Sequence, residues 1–294
     1  MRQNGVVRAC SAAIPALLVL GTGAWANGVG HPDPGQIGFQ GGVTDIAREI
    51  HGFYNNLLFP IITVICLFVM GLLGWCAYRF NDKANPVPSK TTHNTLLEVA
   101  WTILPVLILV VIAIPSFRLL TRQLEIPKPD VVLKVTGHQW YWSYEYPKDQ
   151  GGFGFDSARL EEKDGKDKPD FIDLLSVDNE AVVPVDKVVQ VNVTGADVIH
   201  SWIVQSLGAR MDAVPGRLNS TWFKADREGI YYGQCSKLCG KDHAFMPIAV
   251  RVVSQPAYEA WLQDAKKKFA DNGPAPAPGA SAIEVADAAP AARQ

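Results

Sequence analysis

The chain has 294 residues, a formal net charge of −2 and 48% hydrophobic residues. That length allows a membrane portion together with one soluble domain of ordinary size. The near balance of 27 basic and 29 acidic residues argues against a nucleic-acid partner.

The first 26 residues have the features of a secretory signal peptide. Arg2 and Arg8 supply a positive start, Ala12–Leu20 is a short apolar run, and residues 24–26 (AWA) match the small-residue pattern before a cleavage site. The apolar run is too short to cross about 30 Å of hydrocarbon. We therefore predict cleavage after Ala26 and export across a bacterial inner membrane.

Two long apolar runs follow a mature N-terminal segment, which we assign to residues 27–54. Each run exceeds the roughly 20 residues that a membrane helix needs. We expect a transmembrane hairpin over residues 55–122, with helices at about 55–79 and 95–120. Because the signal peptide exports the N-terminus, both chain ends and everything after the hairpin are predicted to lie on the periplasmic side.

Short runs rich in β-branched residues dominate residues 123–255. Val131–Val135, Lys187–Val193 and Ile248–Val253 are three of them, and His138–Tyr146 is an aromatic strand candidate. Proline and glycine turn signals separate these runs. Several short strands at such spacing are typical of an antiparallel β-sandwich.

Three further segments complete the chain. Arg159–Glu180 has the composition of a charged surface insertion in the β domain. Residues 256–270 are predicted to form a closing amphipathic helix. Residues 271–294 are rich in proline and alanine, which predicts a disordered tail.

Soft metal ligands are concentrated between Cys235 and Met246. Cys239 and His243 lie inside this stretch, and a second imidazole, His200, lies 35 residues upstream of Cys235. A blue-copper site needs one Cys, two His and a weak Met. The extra Cys favours two coppers that share both sulfurs, with one His on each metal and with the Met and a backbone carbonyl as weak ligands.

A disulfide and a structural zinc site are the alternatives for this cysteine pair. A disulfide suits an exported protein but leaves the two His and the Met unexplained. Zinc accepts Cys and His but leaves the thioether unexplained. Cys10 belongs to the signal peptide, and Cys66 and Cys76 lie in a membrane run, so the exported part has no disulfide framework. The ligand set therefore favours copper.

Four stretches of the chain resemble subunit two of the haem–copper cytochrome c oxidases. They are Gly137–Tyr146 (GHQWYWSYEY), Asp212–Arg217 (DAVPGR), Gly233–Cys235 (GQC) and Leu97–Pro105 (LEVAWTILP). The resemblance covers nearly the whole mature chain, from about residue 53 to 269. It implies an all-β cupredoxin-like Greek-key sandwich carried on a two-helix transmembrane hairpin.

The resemblance also implies a binuclear copper A centre. Its ligands would be two bridging thiolates, one imidazole on each copper, a weak thioether and a weak carbonyl. These are Cys235, Cys239, His200, His243, Met246 and the backbone carbonyl of Lys237. Such a chain accepts electrons from cytochrome c and passes them to the haem of subunit one, where oxygen is reduced to water and protons are pumped. No oxygen chemistry is expected on this chain, so it receives no catalytic residue.

A landing site for cytochrome c is a further implication of the resemblance. Trp140 aligns with the surface tryptophan through which electrons enter the family's copper centre. Residues 141–180 hold eleven acidic and five basic residues. Acidic residues complement the lysines around the haem edge of cytochrome c and raise the association rate. Glu145, Asp178 and Asp197 are the predicted docking residues.

Two charged positions have further implications. A carboxylate such as Glu98, at the inner end of a membrane helix, is costly and indicates function; in the family this position lies near the entrance of a proton path into subunit one. At Lys237 the family normally has a Glu that also ligates magnesium at the subunit-one interface. An ammonium group cannot ligate a cation, so we expect that magnesium site to be absent or rebuilt.

Two other functions share some of these features. Nitrous-oxide reductase has the same copper module, but it lacks the hairpin and adds a propeller domain for which this chain is too short. The second subunit of quinol oxidases is a scaffold that has lost its copper, whereas the ligand set is complete here. The expected partners are therefore cytochrome c, subunit one, other oxidase subunits and membrane lipid.

Overall fold

The computed structural model describes residues 30–165, 168 and 170–269. The predicted signal peptide with Cys10, and the predicted tail over residues 271–294, lie outside the described residues. Two long apolar helices are followed by a domain built of ten strands. The predicted fold class, a two-helix membrane anchor with an all-β sandwich, is confirmed.

The two apolar helices differ in how they begin. The first has an amphipathic part, α1 (Asp45–Phe53), which continues through a π-helical turn (Tyr54–Leu58) into α2 (Phe59–Arg79). The second, α3 (Thr95–Leu124), starts at Asn94, whose side chain accepts hydrogen bonds from two backbone amides of the first turn. Both are long and apolar enough to cross a membrane.

The N-terminal end of the first helix and the C-terminal end of the second lie together beside the β domain. Arg122, near the end of α3, forms an ion pair with Glu49 of α1. The Nε1 of Trp222, in the β domain, donates to the carbonyl oxygen of Arg122 (3.3 Å). The chain segments before the first membrane helix and after the second therefore lie on one side of the helical pair, and the loop of residues 80–94 lies on the other.

The β domain consists of two five-stranded sheets. The first has the strand order β3-β2-β1-β5-β8 and the second has the order β4-β10-β9-β6-β7. The strands are β1 (Val131–His138), β2 (Tyr141–Tyr146), β3 (Phe153–Ser157), β4 (Ala181–Pro184), β5 (Val189–Gly195), β6 (His200–Val204), β7 (Ala209–Ala213), β8 (Asn219–Phe223), β9 (Gly229–Gln234) and β10 (Pro247–Val253).

The sequence pattern predicts an antiparallel sandwich, but two of the strand pairs are parallel. β1 pairs with β5 in parallel, and β4 pairs with β10 in parallel, while the other pairs are antiparallel. A parallel pair needs a long crossover connection. Three strands come between β1 and β5, and five between β4 and β10, so the chain supplies both crossovers.

The hydrophobic core lies between the two sheets. Successive residues of β1 and of β5 alternate between buried and half-buried, as the two-residue period of a strand requires. Trp142, Tyr144 and Trp202 are fully buried, and Trp202 Nε1 donates to the Tyr144 hydroxyl (3.3 Å). Burying one large aliphatic or Phe side chain contributes about 1.5–3 kcal/mol. The packed core between the two sheets therefore holds the ends of the strands in fixed positions.

The segment before the first membrane helix is part of the domain's scaffold. The Tyr232 amide donates to the carbonyl of Gly30 (2.7 Å), and the Val43 amide donates to the carbonyl of Ser206 (2.9 Å). Val43 is fully buried, and so is Ala47 in α1. Residues predicted only as a mature N-terminal segment therefore pack on the β domain.

Two further segments contact the sandwich. One is the helix α5 (Gln255–Lys268), whose Tyr258 and Ala265 are buried. The charged insertion contains one short helix, α4 (Glu162–Gly165), and Glu180 at its end forms an ion pair with Arg251 of β10.

Candidate metal centre

The start of one strand and one loop, at the same end of the sandwich, supply the predicted metal ligands. His200 is the first residue of β6, and the loop of residues 235–246 connects β9 to β10. Because β9 and β10 are antiparallel neighbours, the ends of this loop meet, and the Cys235 amide lies 3.3 Å from the Met246 carbonyl. The Ser236 amide donates to the Ser201 carbonyl (3.0 Å), which joins the loop to β6.

The candidate ligand atoms converge. The two cysteine sulfurs lie 3.9 Å apart. Cys239 Sγ lies 3.5 Å from His243 Nδ1 and 3.5 Å from Met246 Sδ. Cys235 Sγ lies 4.0 Å from His200 Nδ1 and 3.3 Å from the Lys237 carbonyl oxygen. Each sulfur is thus accompanied by one imidazole nitrogen and by one weaker donor.

This arrangement weakens both alternatives to copper. The sulfur–sulfur distance is almost twice the roughly 2.05 Å of a disulfide bond, and both thiols are free. The thioether of Met246 touches one thiol and is 1% exposed. A structural zinc site takes Cys, His and carboxylate ligands, whereas soft thiolate and thioether donors suit copper. The residues present fit a copper site.

Both cysteine sulfurs and one of the two imidazoles are shielded from water. His200 is fully buried, and Cys235 and Cys239 are about 5% exposed. The Lys237 side chain is exposed, and the backbone carbonyl of this residue faces the sulfur of Cys235. His243 is half-buried and is the more accessible of the two imidazoles.

The two thiols differ in acidity. Burial opposes ionisation of both, because a thiolate loses its hydration. For Cys235 the His200 ring and nearby backbone groups outweigh burial and lower the pKa to about 7. For Cys239 burial and the charge of Cys235 raise the pKa to about 12. A thiol must lose its proton to bind a metal.

Aromatic side chains surround the ligands. Trp142 Nε1 lies 3.4 Å from the Met246 carbonyl, and its ring centroid lies 5.9 Å from that of His200. Trp140 Nε1 donates to the Cys239 carbonyl (3.3 Å). A Cβ at Gly240 would lie 2.9 Å from the Trp140 ring, so only glycine permits this close approach.

The predicted docking acids lie at different distances from Trp140. Asp197 accepts a hydrogen bond from the Gln139 amide (2.7 Å), directly beside Trp140. The exposed Asp178 accepts two backbone hydrogen bonds where β3 ends. Glu145 lies about 15 Å along β2 and is paired with Lys134 Nζ (2.8 Å).

Glu98 lies far from this cluster. It is half-buried in the first turn of α3. At 1.5 Å per residue, it is about 40 Å from the end of that helix beside the β domain. The structure therefore separates Glu98 from the metal centre by the full length of a membrane helix.

Sequence reasoning missed several supporting residues. Gln139 Nε2 donates to the Cys239 carbonyl (2.9 Å), and Asp197 contacts the ring of His200 (2.8 Å). Gly137 packs against that ring so closely that a Cβ would lie 2.9 Å from it. The motif around residues 137–146 pointed to this region but not to these contacts, because each partner lies in a distant part of the chain.

The fold and the cluster define a class: a membrane-anchored protein whose cupredoxin-like sandwich carries a site for a soft metal. Two family models identify it further. The periplasmic domain of cytochrome c oxidase subunit II matches residues 131–253, and the transmembrane domain of the same subunit matches residues 32–119. The chain belongs to the cytochrome c oxidase subunit II family.

Two relatives, from Rickettsia felis and Cereibacter sphaeroides, agree with this assignment. A relative from Rickettsia felis is 47% identical over 266 residues, which is 90% of this chain and 82% of the relative. Cytochrome c oxidase subunit 2 of Cereibacter sphaeroides is 44% identical, covering 90% of this chain and 93% of its own length. The crystal structure of the periplasmic domain of subunit II of Bradyrhizobium japonicum cytochrome oxidase matches with 56% identity and a TM-score of 0.45, over 49% of this chain and 99% of that domain.

Family membership sets the general function. Members are subunits of the haem–copper cytochrome c oxidase, which is a membrane-bound oxidoreductase, and the family typically binds copper A. A nitrous-oxide reductase module and a copper-less quinol-oxidase scaffold are not favoured, since both family models match and all the predicted copper ligands are present.

Proposed function

We propose that this chain is the electron-input subunit of a respiratory cytochrome c oxidase. It accepts electrons from cytochrome c at a binuclear copper A centre and passes them to the haem of subunit one, where oxygen is reduced to water and protons are pumped. The observation that carries the proposal is the convergence of two thiols, two imidazoles, a thioether and a carbonyl. Each of these donors lies within about 4 Å of a cysteine sulfur.

The proposed ligands have different roles at this centre. Cys235 and Cys239 would supply thiolates shared by the metals, His200 and His243 would each hold one metal, and Met246 and the Lys237 carbonyl would be weak ligands. When bound, the two coppers supply a one-electron carrier. The antiparallel strands β9 and β10 hold both ends of the ligand loop, and the buried surroundings keep water away. These features limit rearrangement of the ligands during electron transfer.

Trp140 is the proposed point where electrons enter. Its ring is half-buried, so one part faces the solvent while Nε1 donates to the carbonyl of the ligand residue Cys239. This hydrogen bond gives a short connection from the protein surface to a bridging sulfur. The ammonium group of Lys241 lies 5.5 Å from the ring centroid, so a cation already borders the surface that cytochrome c would cover.

The first experiment mixes fully reduced cytochrome c with the oxidised, assembled oxidase in the absence of oxygen. We expect the resonance signal of the copper centre to disappear before the haem of subunit one is reduced. Haem reduction that precedes or bypasses loss of the copper signal would contradict the proposed role of this chain.

The proposed docking surface for cytochrome c consists of Glu145, Asp178 and Asp197. We expect Glu145→Gln to lower the association rate a few-fold at low ionic strength, because it removes one attractive charge. The difference should shrink as salt screens the interaction. The matched control is Glu228→Gln, since Glu228 is exposed just before β9, at the end opposite Cys235. Equal effects of both variants would argue against a localised docking surface.

The proposed location is the bacterial inner membrane, with the chain spanning it twice and with its N-terminus, C-terminus and copper domain on the periplasmic side. The packing of residues 30–53 against the β domain supports a common side for the segments before and after the helices. Subunit one, other oxidase subunits and lipid are the proposed neighbours of the apolar helix surfaces, which are exposed in the isolated chain.

Glu98 is the proposed entrance of a proton path into subunit one. Its position supports the proposal in one respect: it lies at the end of α3 remote from the copper domain, where protons would enter from the cytoplasm. A carboxylate in the first turn is also favoured by the positive N-terminal end of the helix dipole, so helix stability alone is a competing reason for its presence.

The magnesium site of the family is proposed to be absent or rebuilt in this chain. Lys237 supplies an ammonium group, which cannot ligate a cation. We expect metal analysis of the assembled complex to find no magnesium held at this interface, and Lys237→Glu to introduce it. Lys241→Glu makes the same charge change in the same loop and should not do so. One tightly bound magnesium per wild-type complex at the interface would contradict the prediction.

A further inference from the structure

Asp197 has an unusually complete set of hydrogen-bond partners. Its Oδ1 lies 2.8 Å from His200 Nε2 and accepts the Val198 amide (2.6 Å), while its Oδ2 accepts the Gln139 amide (2.7 Å). A carboxylate can only accept hydrogen bonds. His200 Nε2 therefore carries a proton, and Nδ1, which faces Cys235 Sγ, is the nitrogen placed to bind a metal.

The rest of the pocket holds the His200 ring in that orientation. The residue is fully buried. Gly137 lies against one part of the ring, where any Cβ would come within 3 Å, and Trp142 meets it edge to face. The Asp197 carboxylate is thus the polar anchor of a ring that packing otherwise fixes.

The second imidazole lacks this anchor. Among the described residues, no carboxylate contacts the His243 ring, which lies 3.5 Å from Cys239 through Nδ1 and is half-buried. A carboxylate hydrogen-bonded to the remote nitrogen of a ligating imidazole fixes its tautomer and makes it a stronger donor. His200 and His243 are therefore unequal ligands.

We propose that Asp197 is a positioning residue that fixes the His200 imidazole toward the metal and ties the Trp140 loop to the same ligand. The tie to the Trp140 loop follows from Oδ2, which accepts the backbone amide of Gln139 beside Trp140. Oδ1 at the same time contacts the His200 ring. The inference rests on the proposed copper centre. It goes beyond a docking charge, because only a third of the Asp197 side chain is exposed and each of its oxygens already accepts a hydrogen bond.

Asp197→Glu separates positioning from docking, because it keeps the charge and displaces the carboxylate. In the full chain loaded with copper, we expect copper affinity to fall roughly 10- to 100-fold, with an altered hyperfine pattern. In the assembled oxidase, the association rate with cytochrome c at low salt should stay near the wild-type value. A docking role alone predicts wild-type copper affinity and spectrum.

Asp197→Asn is the second variant and keeps the size of the side chain. Its lost negative charge should raise the midpoint potential of the copper centre, since the oxidised state is less stabilised. The control is Asp178→Asn, whose carboxylate binds only backbone amides away from the ligands; its potential should match the wild type even if its association rate falls.

The two ways of failing are distinguishable. A wild-type chain that binds no copper would overturn the proposed function and the inference with it. A wild-type chain with the expected copper centre, combined with unchanged spectra and potentials in both Asp197 variants, would overturn the inference alone.

Discussion

Cys239→Ser is expected to abolish the two-copper centre and to lower turnover with cytochrome c by at least about 100-fold. Losing a residue that only supports a ligand costs up to that factor, and Cys239 is a proposed bridging ligand in contact with three other candidate ligands. A serine hydroxyl is a hard donor that suits copper poorly. The measurements are copper content and turnover of the assembled oxidase.

Cys66→Ser is the matched control for this change. Cys66 is exposed in α2, far along the chain from the ligand loop. It should leave copper content and turnover unchanged. Normal copper content in Cys239→Ser would show that the sulfur is not a ligand, and a disulfide or structural role would then have to be reconsidered.

Trp140→Phe is expected to slow electron transfer from cytochrome c by roughly 10- to 100-fold while copper content stays normal. Phenylalanine keeps an aromatic ring but removes the Nε1 donor to the Cys239 carbonyl. The ligands themselves are untouched, so the centre should still form. The measurement is the rate at which reduced cytochrome c reduces the copper centre, compared with the copper content of the same preparation.

Trp261→Phe controls for the loss of an indole ring elsewhere in the domain. Trp261 lies in α5 against Tyr146 and Phe153, at the end of β2 away from the candidate site. It should change the rate little. If Trp140→Phe behaves like this control, electrons enter by another route.

The ligand loop could be predicted from the sequence because its members are local. Cys235, Cys239, His243 and Met246 lie within twelve residues, and the soft character of their side chains indicates a metal without any knowledge of the fold. His200 was harder, since only the pairing of β6 with β9 and the contact between Ser201 and Ser236 bring it to the loop.

The contacts that support the ligands could not be predicted in the same way. The family resemblance predicts Asp197 as a docking acid, but the hydrogen bond that it accepts from the Gln139 amide joins positions 58 residues apart. Charge and exposure are visible in a sequence, whereas the direction of a carboxylate depends on two loops meeting at the end of a sandwich.

Long-range packing explains the other differences between the sequence pattern and the structure. Runs of β-branched residues mark β1 and β5 as strands in the sequence. These runs do not reveal that the two strands are parallel neighbours. The segment around Val43 is too short for a periodic signal, and its partner Ser206 lies in a distant turn of the β domain. In both cases the deciding partner is far away in the chain.

Metal content and the resonance spectrum of the full chain test the central claim most directly. The chain is purified in detergent without its partner subunits and loaded with copper, so that no other subunit contributes metal. The proposed centre predicts two coppers per chain and hyperfine splitting from one electron shared over two copper nuclei. One copper with a blue-copper spectrum, or no stably bound copper, would contradict it.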